Sequence, residues 1–403
     1  MKNDSLLRYR PLFPILEKTT YLVSHSLGAM PKTVYDQLKN FADAWATRGV
    51  RAWSEGWWDA PVETGQLLTK IMDAPEGSIV MHQNVSVAES VIASALEFKA
   101  PRNKIIYTEL NFPTVQYVWE AARKRGAETV SIKSRDGMTI ELEDILNAID
   151  ERTLAVEISH VLYKSGFLMN AKEIIKKAHS VGAMVILDCY QSTGTVPFSV
   201  RELNVDIVVG GSVKWLCGGP GAGYLYVRPD LQTKFEPTVT GWAAHADPFA
   251  FETGAIRYAK NMRRFLHGSP AVPALYAARA GYEIISEIGV ANIREKSIEM
   301  TNWFFDACME AGFRPTSPRD VQRRGGTVTV SVDRDGAKES IGLAVKTELE
   351  RREIIVDFRP GAGIRVSPHF YNTKEELERF IKETKNVIDT KAYERHIGKG
   401  VVH

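Results

Sequence analysis

Between residues 78 and 228, short apolar and β-branched runs alternate with longer stretches whose apolar residues recur every three or four positions. The runs "SIVMHQ", "KIIYT", "ETVSI", "TLAVEIS", "MVILD", "DIVVGG" and "GYLYV" have the length and composition of strands buried on both faces. Between them, "SVAESVIASALEF", "TVQYVWEAARKRG" and "NAKEIIKKAHSVG" carry the helical period, and Gly126 and Gly182 stand just past two of these helices, where a left-handed cap is wanted. This alternation predicts an α/β layer with a mostly parallel seven-stranded sheet flanked by helices. Ligands of such sheets gather at the carboxyl ends of the strands.

Past residue 255 the pattern changes. A long helical run, "PAVPALYAARAGYEIISEIGVANIREKSIEMTNWFFDACMEAG", leads into "GTVTVSV", a polar helix, "EIIVDFR", "GIRVSP" and a last helix, "TKEELERFIKETKNVID". The expected organisation is an N-terminal arm over 1–60, a large α/β domain over 61–260, a linking helical region over 261–295 and a small C-terminal α+β domain over 296–403. The arm is Trp-rich and poorly periodic.

Composition narrows the function classes. Fifty-one basic residues against 49 acidic ones give a formal charge of +2, too balanced to steer the chain to nucleic acid or an anionic membrane. No uncharged apolar run reaches the length of a membrane span. Cys189, Cys217 and Cys308 are odd in number and widely spaced, which argues against a disulfide scaffold or a structural zinc site and fits a cytoplasmic protein without a metal.

The candidate chemistry begins at Lys214 in "SVKWLCGGPGAGY", between a predicted strand and a glycine cluster. A lysine is a nucleophile only as the free amine, and partial burial near other cations favours that state. The glycines admit close approach to a bulky planar ligand. They do not make a phosphate loop, which needs GK[ST] opening a helix, and "GYLYV" is a strand. Asp188 closes "MVILD" at the same sheet edge, with Tyr190 aimed the same way by alternation and Gln191 beginning the loop. Taken alone, Lys214 reads more readily as a surface cation and Asp188 as a turn former. Together they are the amine and the acid that pyridoxal 5'-phosphate (PLP) requires: one forms an imine, the other keeps the pyridine nitrogen protonated.

That pairing asks for three further features. A phosphate belongs on a helix N-terminus, and Val85 and Ser86 open the first helix. A ring should cover the cofactor, and Phe112 precedes the helix begun by Pro113, although core packing would account for it equally. A substrate carboxylate needs a planar fork, and Arg365 stands on a short strand of the small domain.

With these residues in hand, the sequence resembles the class V aminotransferase superfamily of fold type I PLP-dependent enzymes, and within it is most similar to the kynureninases. The resemblance rests on "LDCYQSTGTVPFSV" with "DIVVGGSVKWLCGGPGAGYLYVR", "NFPT", "GW" with a nearby histidine, "DFRPGAGIRVSPHFYNT" and "SHSLGAMPK". It implies Lys214 as the Schiff-base lysine, Asp188 at the pyridine nitrogen, Gln191 at the phenolic oxygen and Phe112 on the ring. It implies Val85, Ser86 and Ser212 at the phosphate, Gly268 and Ser269 reaching the phosphate of a neighbouring subunit, and Arg365 at the substrate carboxylate. His25, Trp242 and His245 are implied as further substrate contacts. A homodimer with shared active sites, acting on a small-molecule amino-acid substrate, follows from the resemblance. Trp45, Trp53, Trp57 and Trp58 are expected to pack the arm onto the dimer, with a role in an aromatic substrate pocket as the alternative.

The chain departs from the kynureninase pattern at Val213, where tyrosine precedes the lysine, at Val115, where aspartate is usual, at Gln191 in place of histidine, at Gly268 or Ser269, near an expected asparagine, and at His25 in place of asparagine. The positions that hold the cofactor are largely kept, and those that read the substrate are changed. Cysteine desulfurases share the fold, but "FRPGAG" lacks their reactive cysteine. The expected activity is kynureninase-like hydrolytic Cβ–Cγ cleavage of an α-amino acid. Transamination, Cβ elimination on another amino acid and cofactor holding without catalysis are the alternatives.

Overall fold

The computed structural model describes residues 4–333 and 340–399. All seven runs form strands of one sheet: β1 (Ile79–His82), β2 (Lys104–Thr108), β3 (Glu128–Ile132), β4 (Thr153–Ser159), β5 (Met184–Asp188), β6 (Ile207–Gly211) and β7 (Gly223–Val227). Their spatial order is β1-β7-β6-β5-β4-β2-β3. β7 runs antiparallel to both of its neighbours, and the remaining pairs are parallel. The register sets Ser159 opposite Asp188 and Asp188 opposite Val209, so β4, β5 and β6 end side by side.

Helices cover both faces, which is why the strands read as unbroken apolar runs. α1 (Val34–Arg48), α2 (Ala60–Leu67), α3 (Val85–Ala95), α4 (Pro113–Ala122) and α5 (Ala171–Ser180) belong to this part of the chain. One core places Val80, Ile105, Ala155, Ile186 and Val209 with Ala88 and Ile92 of α3 and Trp119 of α4. On the opposite face, Ile106, Val156, Ile158, Val185 and Leu187 meet Ile174 and Ile175 of α5. Two long helices, α6 (Val272–Ile288) and α7 (Val290–Glu310), lead to the C-terminal part. There β8 (Arg314–Pro315), β9 (Val328–Ser331), β10 (Asp357–Arg359) and β11 (Gly363–Val366) form an antiparallel sheet in the order β10-β11-β9-β8. α8 (Gly342–Arg351) and α9 (Lys374–Asp389) complete it, with Phe304, Val330, Ile364 and Phe380 in its core.

The first sixty residues are more structured than their weak periodicity predicts. α1 spans fifteen residues with Val34, Leu38, Phe41 and Trp45 at helical spacing, although Val34 is the one buried residue in it. Trp57 stacks on Phe41 of α1 with ring centroids 5.1 Å apart, and Trp53 meets Trp57 edge-on. The chain before α1 pairs with the C-terminal part of the sequence. Thr20 and Tyr21 pair in parallel with Ile354 and Ile355, and Val23 bridges Ser367.

Candidate active site

A cavity of about 200 Å³ opens at the carboxyl ends of β4, β5 and β6. It is lined by Lys214, Asp188, Tyr190 and Gln191 from the β5 and β6 edges and by Ser159, Val161 and Tyr163 from the β4 edge. Asn84, Val85 and Ser86 come from the start of α3, and Phe112, Thr114 and Val115 from the start of α4. Two helix N-termini therefore converge on one pocket with a lysine and a buried acid.

Local bonding explains how the lysine is held. After β6 the chain turns through Ser212–Gly218, with Ser212 N–H donating to Ala222 O at 3.0 Å and Gly218 N–H to Ser212 O at 2.9 Å. Gly28 presses against the far side: its N–H donates to Val213 O at 2.8 Å, and a Cβ there would lie 2.1 Å from Lys214 O. The glycines after the lysine serve close packing within the protein. A Cβ on Gly223 would stand 2.7 Å from the Asn84 carbonyl carbon, so this glycine lets β7 abut the residue that caps α3. Asn84 Oδ1 accepts the Val87 N–H at 3.0 Å and leaves the first N–H groups of α3 facing the cavity.

Lys214 Nζ lies 4.3 Å from the Tyr190 ring centroid and 5.8 Å from that of Phe112. Burial, opposed by the charge of Asp188 and assisted by those of Arg365 and Arg359, lowers its pKa to about 7. The amine is thus substantially uncharged near neutrality. Asp188 is buried, which raises its pKa, while the Tyr190 N–H (2.9 Å), the charge of Lys214 and the Ser159 hydroxyl (3.4 Å) pull it back down. Phe112 is 44% exposed and meets Tyr163 edge-on at 5.2 Å, so its ring belongs to the cavity mouth and not to the core.

Gln191 lines the cavity with its amide already engaged. Its Oε1 accepts the Trp215 indole N–H at 3.1 Å, and its Nε2 donates to His25 O at 3.0 Å. Ser86 Oγ lies 3.2 Å from Thr114 Oγ1, joining the two helix starts. Ser212 stands behind the cavity wall, its fully buried hydroxyl donating to Ala222 O and touching the Tyr282 hydroxyl. Arg365 donates to Tyr163 O at 2.6 Å and pairs with Asp357, and burial lowers its pKa to about 10. His25 is buried and neutral, with a pKa near 3, its Nε2 3.5 Å from Asp357 Oδ2. This cluster adjoins the cavity through Tyr163.

Four residues lie elsewhere in the protomer. Gly268 lines a separate small cavity with Trp58, His82, Arg263 and His267, and Ser269 beside it is exposed. Trp242 sits among Trp58, Phe249 and Phe251, while His245 Nδ1 accepts the Asp247 N–H at 3.1 Å and its Nε2 lies 3.4 Å from Glu252. Conversely, sequence reading did not single out Thr114, Ser159, Tyr163 or Asp357. Thr114 was findable, since it follows the proline that starts α4; the others depend on strand register.

The family model described as "Aminotransferase class-V" matches residues 20–380. The chain belongs to the class V aminotransferase family. Its relatives include the "Uncharacterized aminotransferase YcbU" of Bacillus subtilis, 31% identical over 381 residues that cover 93% of this chain and 96% of that protein. A kynureninase of Bacillus mycoides is 29% identical over 415 residues, covering 99% and 95%. Among solved structures, a cysteine desulfurase from Thermococcus onnurineus NA1 superposes with a TM-score of 0.83 at 22% identity, over 95% of this chain and 98% of that one. A C-DES mutant with glycine covalently linked to its PLP cofactor gives 0.84 at 18% identity, over 94% and 99%. The fold is that of the fold type I enzymes, and the cofactor of this class V enzyme is PLP. The donor set fits the group: an uncharged amine, a buried carboxylate, an accessible aromatic ring and helix N-termini for an anion share one cavity.

Proposed function

We propose that this chain binds PLP between Lys214 and Asp188 and cleaves the Cβ–Cγ bond of an aryl-keto α-amino acid by hydrolysis, as kynureninases do. The observation that carries the PLP site is the placement of a near-neutral lysine amine and a buried carboxylate in the lining of one aromatic-walled cavity. When bound, the cofactor supplies an aldehyde for amines and an electron-accepting ring. Lys214 Nζ would anchor the aldehyde and would take the α-proton of the substrate. Asp188 would hold the ring nitrogen protonated, and Phe112 would cover the ring. The start of α3 at Val85 and Ser86, joined by Thr114, takes the phosphate. Arg365, fixed by Asp357 and the Tyr163 carbonyl, binds the substrate carboxylate.

The match over nearly the whole length of a kynureninase supports this reaction. Tyr163 and Tyr190 bring phenols to the cavity that lacks the tyrosine expected at Val213. The protein would work as a homodimer, with the exposed Gly268–Ser269 turn completing the partner's phosphate site and with Trp242 and His245 near the partner's substrate. Incubation of the PLP-loaded enzyme with kynurenine and 3-hydroxykynurenine should release alanine and an anthranilate-type acid. Absence of both products removes this reading.

A second reading, transamination or Cβ elimination on another amino acid, is favoured by the engaged amide of Gln191 and by the apolar Val115 at the cavity wall. Release of a 2-oxo acid from an amino donor, dependent on an added oxo-acid acceptor, would mark transamination.

A further inference from the structure

The core beneath the cavity holds two carboxyl groups that the proposed reaction does not use. Glu157 lies two residues before Ser159 on β4, on the same face of the sheet as Ser159 and Asp188. Glu89 lies one turn beyond Val85 on α3, on the helix face that covers that sheet. Both side chains are fully buried, and apart from their contact with each other none of the four oxygens has a hydrogen-bond partner. Asp188 on β5 acts on both of them, Glu157 acts in turn on the thiol of Cys189 beside Asp188, and Lys214 acts on Asp188 from the cavity.

Two carboxylates cannot both stay ionised in such a place. Desolvation favours their neutral forms, and each disfavours a charge on the other. Both pKa values are raised, with burial the largest cause and the charge of Asp188 adding to it. Because Asp188 contributes to the rise, anything that offsets its charge makes the pair a stronger acid.

We propose that Glu89 and Glu157 form a proton-holding carboxyl pair behind Asp188, and that seating a cationic pyridine ring on Asp188 discharges a proton from the pair to solvent. The two glutamates are positioning residues: they keep negative charge in reserve behind the ring-nitrogen partner and supply it as the ring arrives. The inference rests on the PLP reading only for the identity of the cation.

Infrared difference spectroscopy on the cofactor-free chain tests the first half. A protonated-carboxyl C=O band that disappears in the Glu89→Gln/Glu157→Gln double variant is expected, and its absence from the wild type overturns the pair. PLP addition tests the second half. The band should weaken as visible absorbance reports the seated ring, and calorimetry in buffers of different ionisation enthalpy should show wild type releasing on the order of one proton more than the double variant. An unchanged band with the ring seated overturns the coupling. The response of the wild-type band to PLP decides the matter even if the double variant fails to fold. Failure of PLP to develop visible absorbance sinks the cofactor reading and the coupling together, whereas a missing carboxyl band sinks the pair and leaves the cofactor reading standing.

Discussion

Asp357 and Arg365 face each other across the antiparallel pair β10 and β11 and form an ion pair with both side chains out of solvent. Arg359 adds a second cation 3.0 Å from the same carboxylate, and His25 touches it in neutral form. One carboxylate therefore orients the guanidinium assigned to the substrate. It also organises a region whose net positive charge suits an anion.

Removing the carboxylate leaves the buried Arg365 guanidinium without its counter-charge. Asp357→Ala should lower the free energy of unfolding by about 3–5 kcal/mol, measured by urea denaturation. Its cationic neighbours hold Asp357 far below the usual carboxylate range. The stabilisation is therefore present above the unfolded-state pKa of roughly 3.9 and lost as pH falls through the folded value. The advantage of wild type over Asp357→Asn should accordingly shrink as the pH drops below about 4.

Lys214 works in the opposite sense. A base whose pKa drops to about 7 on folding binds fewer protons folded than unfolded between that value and the ordinary lysine range. Its contribution to stability therefore rises with pH across this window. In the cofactor-free protein, Lys214→Met should be more stable than wild type near pH 7, and the difference should close by about pH 10. Thermal melts across the range decide it, and the same variant should fail to retain PLP after borohydride reduction.

Phe112 lies at the mouth and contributes little to the core. Phe112→Ala should leave the melting temperature nearly unchanged while weakening PLP binding by about 0.5–1.5 kcal/mol, up to roughly tenfold in Kd. Equal losses in stability and affinity would show that the ring is a packing residue.

Gly223 sets the position of the α3 cap. Gly223→Ala drives a methyl group into the Asn84 backbone and should cost about 1–3 kcal/mol of stability. Because the displaced group is the start of α3, affinity for PLP should fall more than affinity for pyridoxal, which has no phosphate. Fluorescence titration with the two ligands separates these effects.

The parts of this molecule legible in the sequence are those whose burial is uniform. β1 to β7 lie between two helical layers, so their runs are continuous, and Lys214 and Asp188 could be placed at one edge because each ends such a run. α1 was legible too, in Val34, Leu38, Phe41 and Trp45 at helical spacing, although only Val34 of them is buried. The partner of Arg365 depends on register between β10 and β11, which no local pattern encodes. The lone glutamate in "TLAVEIS" interrupts a run that reads as buried on both faces; the second acid that meets it from a covering helix comes beside it only after folding. The glycines near Lys214 drew attention for the space they leave to a ligand, whereas Gly223 and Gly28 leave it to neighbouring backbone.

The segment that carries His25 and Gly28 is sewn down at both ends. Leu22 O accepts the Ser367 N–H of the C-terminal lobe at 2.7 Å, and six residues later Gly28 is tied to the strand-end turn that bears the lysine. Six residues thus join the C-terminal sheet to the Lys214 turn, beside the direct contact of His369 Nε2 with Trp215 O at 2.8 Å. A displacement of that sheet would be felt at the turn that carries the reactive amine.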